Sequence, residues 1–131
     1  MKKAIVILIF GTMFFGACSA QNVSAQTTND AQRIIGTWKH NEIVSYNIGE
    51  HTATRTYTFN SNGTYEYSFV STHPQVIDTR NSGNYFINGS KLIITSNSFS
   101  ARLNDFYLSS NGRILFIGNI NNENGSWYEK Q

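Results

Sequence analysis

Residues 52–69 read Thr52-Ala53-Thr54-Arg55-Thr56-Tyr57-Thr58-Phe59-Asn60-Ser61-Asn62-Gly63-Thr64-Tyr65-Glu66-Tyr67-Ser68-Phe69. Along a β-strand, successive side chains point to opposite faces. The first run therefore puts Thr52, Thr54, Thr56 and Thr58 on one face and Tyr57 and Phe59 on the other. The second puts Tyr65, Tyr67 and Phe69 on one face and Glu66 on the other. Between them Asn62-Gly63 supplies residues that accept positive φ, the requirement of a tight hairpin turn. The stretch predicts two antiparallel strands with one wet and one buried face.

The same pattern extends in both directions. Period-two runs predict strands over 37–46, 52–59, 64–71, 83–87, 91–96, 101–109, 113–120 and 126–130. Asn88-Gly89, Ser110-Asn111-Gly112 and Asn124-Gly125 read as further turns, and the single proline, Pro74, lies in the longest gap, 72–80. Tyr85 and Ile87, Leu92 and Ile94, Phe106 and Leu108, and Leu115 and Ile117 continue the apolar face. One short helical turn at 31–35 is compatible with the pattern, and no amphipathic helix is present to cover the sheet. Eight strands with one apolar face bury it by closing into a barrel or by splitting into a two-sheet sandwich. Short successive hairpins favour an all-β, eight-stranded, antiparallel up-and-down barrel, which also removes the sheet edges. Its first and last strands must pair, which predicts Trp38 and Trp127 as neighbours at the seam with Trp38 buried.

The chain has 131 residues, enough for one domain. Lys2 and Lys3 precede an apolar run, Ala4 to Phe10, continued by small and apolar residues to Ala17. A span of roughly 20 apolar residues would be needed to cross a bilayer, so residues 1–17 read as an export signal. Phe15-Gly16-Ala17-Cys18 resembles the bacterial lipobox, with Phe15 where Leu is usual. That resemblance implies lipidation of Cys18 and a membrane anchor in the cell envelope. Cleavage after Ala20 or Ala25 is the alternative and gives a secreted or periplasmic soluble protein. Residues 18–33, rich in Gln, Asn, Ser and Thr, read as a polar tether, and residues 34–131 as the barrel domain. Cys18 is the sole cysteine, so no intrachain disulfide exists. Without Lys2 and Lys3 the chain carries eight Lys+Arg against eight Asp+Glu, with no basic cluster of the kind nucleic acid requires.

Ile34-Ile35-Gly36-Thr37-Trp38-Lys39 resembles the Gly-x-Trp signature that opens lipocalins and related barrels. Residues 57–65 and Ser82-Gly83-Asn84-Tyr85-Phe86-Ile87-Asn88-Gly89-Ser90-Lys91-Leu92 resemble later hairpins of bacterial lipocalin-like domains, calycin-type barrels. The resemblance spans 34–130. It implies that Gly36 and Trp38 open the first strand and that a basic residue of the last strand, here Lys130 in place of the usual Arg, packs over Trp38. It also implies a small hydrophobic or amphipathic ligand inside the barrel.

Candidate chemistry is sparse. His40, His51 and His73 have no metal-binding spacing and read as exposed residues near loops, and no metal or cofactor is expected. Glu42, Glu66, Asp78, Asp105 and Glu129 are scattered, no Gly-x-Ser-x-Gly elbow occurs, and the reading is non-enzymatic. Arg55 alternates in phase with His51, Ala53, Tyr57 and Phe59, which points its guanidinium inward. One reading puts Arg55 near the rim with its head in water; a buried cation instead needs a partner, either Glu42 on the preceding strand or the acidic head of a ligand. The expected ligand-binding set is Arg55, Tyr57, Tyr67, Phe69 and Tyr85. The competing role is a filled barrel that serves as a protein-interaction or inhibitor module through its exterior or the 72–80 loop.

Overall fold

A computed structural model describes residues 29–46, 49–119 and 124–131; the stretch read as an export signal, Cys18 and most of the stretch read as a tether lie outside them. The strands are β1 (Gly36–Tyr46), β2 (Gly49–Phe59), β3 (Thr64–Ser71), β4 (Thr79–Asn88), β5 (Lys91–Ser96), β6 (Phe99–Leu108), β7 (Ile114–Asn119) and β8 (Asn124–Lys130). They form a closed barrel in sequence order, every neighbouring pair antiparallel. The sandwich is thereby excluded. β8 returns to β1 through Trp38↔Lys130 and Lys39↔Glu129.

Register decides what fills the interior. Tyr57 pairs with Tyr67, Phe59 with Tyr65, Tyr85 with Ile94, and Leu115 with Tyr128. These residues share the inner face, while the threonines of β2 face out. The turns of 60–63, 89–90 and 109–113 lie at the same end as both domain termini, and this end is the floor. Here Trp38, Phe59, Tyr65, Leu92 and Leu115 are fully buried, a filled layer of the kind that small barrels use. The other end, where β1 runs toward β2 and β7 toward β8 and which carries the 72–78 loop and the 97–98 turn, is the mouth.

Residues 29–33 are helical, so the last part of the stretch read as tether is docked onto the floor. Arg33 donates to the carbonyls of Ser109 and Ser110 and pairs with Asp30, and Ile34 is sealed beneath the barrel. The indole N–H of Trp38 donates to the Ile34 carbonyl at 2.7 Å. Lys130 Nζ stands 5.2 Å from the centre of the Trp38 ring and donates to the Arg33 carbonyl at 3.1 Å. Gly36 explains the first position of Gly-x-Trp: its φ is +131°, and a Cβ there would meet Lys130 Cε at 3.0 Å. A side chain at residue 36 would be strained and would crowd the lysine that covers Trp38.

Three expectations need correction. The seam does pair the two tryptophan-bearing strands, but Trp127 faces solvent because Tyr128 takes the inward position opposite Leu115. Asn124-Gly125 is not a turn. It lies in β8, where Gly125 pairs with Gly118 and a Cβ would strike the Phe116 ring at 2.4 Å. β4 begins at Thr79, four residues before the expected start at Gly83, because Thr79, Asn81 and Gly83 pair with β3 despite their polar or small side chains.

Replacing Trp38 with Ala removes the floor's central side chain and its hydrogen bond to Ile34. Urea denaturation is expected to register a loss of ~3–5 kcal/mol. A loss below ~1 kcal/mol would contradict this placement.

Candidate functional site

Above the filled floor the inner face changes character. Tyr57 is the pivot. Its ring stacks on Phe59 at 5.5 Å, tilts against Tyr67 at 4.8 Å and meets Tyr128 edge-on at 5.4 Å. Beyond this cluster, toward the mouth, lies a cavity of about 350 Å³. Its walls are Tyr57, Tyr65, Tyr67, Ile94 and Phe99, with Arg55 and Arg102 contributing charge and Thr79, Asn81 and Ser98 forming a polar rim. That volume is at the lower end of the ~300–1,000 Å³ typical of small-molecule sites. A larger hollow of about 520 Å³ lies on the outer face over β2–β4, but it is a more open depression lined mainly by hydroxyls, Glu66 and Arg80. The interior cavity combines aromatic walls with a few polar groups, the composition expected of a ligand site.

The candidate residues divide. Arg55, Tyr57 and Tyr67 line the cavity. Tyr85 does not: its ring packs on Phe59 at 4.9 Å in the floor, and its hydroxyl donates to the Asn60 carbonyl at 2.9 Å. Phe69 stands outside the walls, with the Arg55 guanidinium 5.5 Å from its ring centre. Gly36, Trp38 and Lys130 all belong to the floor.

Arg55 has a protein partner. Its Nε donates to Glu42 Oε1 at 2.9 Å, so its charge is met within the barrel. Burial acts to lower the basicity of Arg55, but the hydrogen bond and charge of Glu42 outweigh it, and the pKa is raised. The other Glu42 oxygen lies 3.7 Å from His40 Nε2. His40 Nδ1 contacts the Trp127 carbonyl at 2.7 Å, and since a carbonyl only accepts, Nδ1 carries the proton. His40, Glu42 and Arg55 thus form a polar row on the β1–β2 wall, tied to β8. The histidines are not the exposed loop residues expected. His40 is half-buried in the seam, and His73 is buried, its ring edge-on to His51 at 4.5 Å.

Of the wall residues that the sequence reading did not name, Phe99 and Arg102 bear most on the cavity's chemistry, beside Thr79, Asn81 and Ser98 at the rim. Arg102 alternates in phase with Phe106 and Leu108, the same signal that singled out Arg55. Phe99 carries no such signal, since its strand is bulged between it and Arg102.

A closed antiparallel up-and-down barrel with a filled floor and a partly apolar cavity below its mouth has the architecture of a lipocalin-like barrel. A family model described as a lipocalin-like domain matches residues 34–112, more than half of the chain. The chain belongs to the lipocalin-like domain family. The match runs from Ile34 through the β6–β7 turn, and β7 and β8 complete the barrel beyond it. No curated protein matches the chain. The family and the barrel fit a ligand-binding or carrier role.

The buried phenols give the domain an alkaline limit. Burial pushes the Tyr128 hydroxyl up to about 12, with Tyr67 adding to the shift, and burial also raises Tyr57. A phenol whose folded pKa is raised stabilises the fold fully below its ordinary value of 10 and loses that contribution as pH rises through the folded value. Stability is therefore expected to fall between pH 10 and about 12, by an amount of order 2 kcal/mol from Tyr128. Tyr128→Phe should make this decline shallower in denaturation curves measured across that range. An unchanged slope would contradict the assignment.

Proposed function

We propose that this protein is a non-enzymatic binding protein of the cell envelope that holds one small amphipathic molecule in its barrel. The observation that carries this reading is the cavity of about 350 Å³ between the Tyr57 cluster and the mouth. Its mechanism is desolvation of the ligand's apolar part against Tyr57, Tyr67, Ile94 and Phe99, while the polar end stays among the charged and hydroxyl groups toward the rim. The filled floor limits how deep a ligand reaches, which selects short ligands over long ones.

Calorimetric titration of the protein with decanoate and 1-decanol tests this reading. At least one is expected to bind at one per chain, and Thr79→Trp, which places a bulky ring at the cavity's exposed rim, is expected to abolish binding without lowering the melting temperature. Binding unaffected by Thr79→Trp would place the ligand elsewhere.

The anchoring part of the proposal rests on the lipobox-like Phe15-Gly16-Ala17-Cys18 and the polar residues that follow it. An acylated Cys18 would hold the domain near a bilayer with the tether as spacer. Cys18→Ser is expected to move the protein from the membrane fraction to the soluble fraction of its host. Unchanged membrane partitioning after this substitution would defeat anchoring through Cys18.

One observation favours a second reading, a docking surface for another protein. On the outer face of β6–β8, Tyr107, Phe116 and Trp127 occupy successive cross-strand positions, with Phe116 and Trp127 rings 5.0 Å apart and Trp127 more than half exposed. Aromatic side chains of this kind are enriched in interface cores. The two readings use opposite faces of the barrel wall and share only β6.

A further inference from the structure

The pairing of β5 with β6 contains an irregularity that shapes the cavity. Ile94 pairs with Arg102 and Ser96 with Phe99. Thr95 alone spans on β5 what Ser100 and Ala101 span on β6, so β6 carries one extra residue. A bulge of this kind breaks strict alternation and re-aims side chains. Phe99 and Arg102, which unbroken alternation would put on opposite faces, both line the cavity. The Arg102 Cζ sits 4.3 Å from the centre of the Phe99 ring, close enough for a cation–π contact that holds the guanidinium against the wall.

The two cavity arginines differ in one decisive respect. Arg55 is ion-paired with Glu42. The Arg102 guanidinium, on an exposed residue of the wall, makes neither an ion pair nor a hydrogen bond among the described residues. A second donor in the cavity wall also lacks a partner. The Tyr65 hydroxyl, on a residue only 1% exposed, has no acceptor for its proton, the Ser96 side chain beside it acting only as a donor to the oxygen. Buried polar groups are nearly always satisfied, and one that is not calls for an explanation such as a ligand. The Arg102 charge reaches this oxygen: burial raises the Tyr65 pKa, while hydrogen bonding from the Ser96 side chain and the charge of Arg102 act to lower it.

We infer that the cavity's ligand is a small organic acid whose carboxylate is held by the Arg102 guanidinium on its Phe99 shelf and by the Tyr65 hydroxyl. This rests on the lumen-binding reading above and names its ligand class. With Arg55 cancelled by Glu42, the wall presents one unmatched positive charge, suited to a monoanion. The planar guanidinium donates to the carboxylate oxygens, the phenol donates one more hydrogen bond, and Tyr57 and Ile94 cover the adjoining carbon chain. The acid-binding role expected of Arg55 passes to Arg102, because the first already has its anion.

The test titrates decanoate and 1-decanol into the full chain and into Arg102→Met and Tyr65→Phe, near neutral pH, with melting temperatures as the folding control. Neither substitution removes an ion pair of the folded protein or a hydrogen bond donated by the residue replaced, so both variants are expected to melt like the parent. The parent should bind decanoate more tightly than decanol. Arg102→Met should weaken decanoate about tenfold or more and leave decanol unchanged, and Tyr65→Phe should weaken decanoate selectively by a smaller factor. If decanol binds as well as decanoate, or if Arg102→Met leaves decanoate binding intact, the acid site is overturned while lumen binding stands. If neither ligand binds the parent, both are overturned.

Discussion

The structure depends on how the barrel is shut at its floor. β1 and β8 meet through only two paired positions, Trp38↔Lys130 and Lys39↔Glu129, too short a ladder to close a barrel by backbone hydrogen bonds alone. Trp38 supplies the rest. Its indole is buried, its N–H is satisfied by the carbonyl of Ile34, and Lys130 lies over its face while bonding the carbonyl of Arg33. One side chain thereby joins the helical turn, the first strand and the last. The absence of a side chain at Gly36 is a condition of that contact. Higher up, the His40 contact with the Trp127 carbonyl ties the same two strands.

A fixed floor has consequences along the barrel axis. Aromatic and aliphatic side chains form one buried cluster with Trp38. Tyr57 marks the boundary, touching the floor through Phe59 and the upper wall through Tyr67 and Tyr128. Past it the inward positions hold Glu42, Arg55, Asn81 and Arg102, whose side chains do not fill the cross-section as rings do. The cavity is thus a product of composition: the strands continue, but the residues facing inward become polar. The same gradient explains why the opening is chemically unlike the depth, which favours a ligand with one polar end.

Much of this was legible from alternation. The threonine row of β2 against the aromatic rows of β2 and β3 specified a sheet with one buried face, and the Asn-Gly turns specified hairpin order. Closure followed from the lack of any helix to cover that face. What misled was local. Trp127-Tyr128 offers two adjacent rings for one inward position, and only the pairing with Leu115 decides between them. Asn124-Gly125 looks like a turn, yet the glycine is there to clear space beneath Phe116. The site was legible in half. Arg55 and its partner Glu42 can both be named by phase from Trp38 and Tyr57. Arg102 has the same phase relation to Phe106 and Leu108, but the bulge that brings Phe99 beneath it leaves no mark in the sequence, because Ser100 and Ala101 are ordinary strand residues. Tyr85 was assigned to the ligand from its facing alone, and depth along the barrel axis, which alternation does not encode, places it in the floor.

The most direct test of a mouth-facing cavity as the binding site is isotope-filtered NMR of the protein with ¹³C-labelled decanoate. The account predicts nuclear Overhauser contacts from the chain methylenes to the ring protons of Tyr57 and Phe99 and to the methyl groups of Ile94. Contacts confined to Tyr107 and Trp127 on the outer face would contradict it.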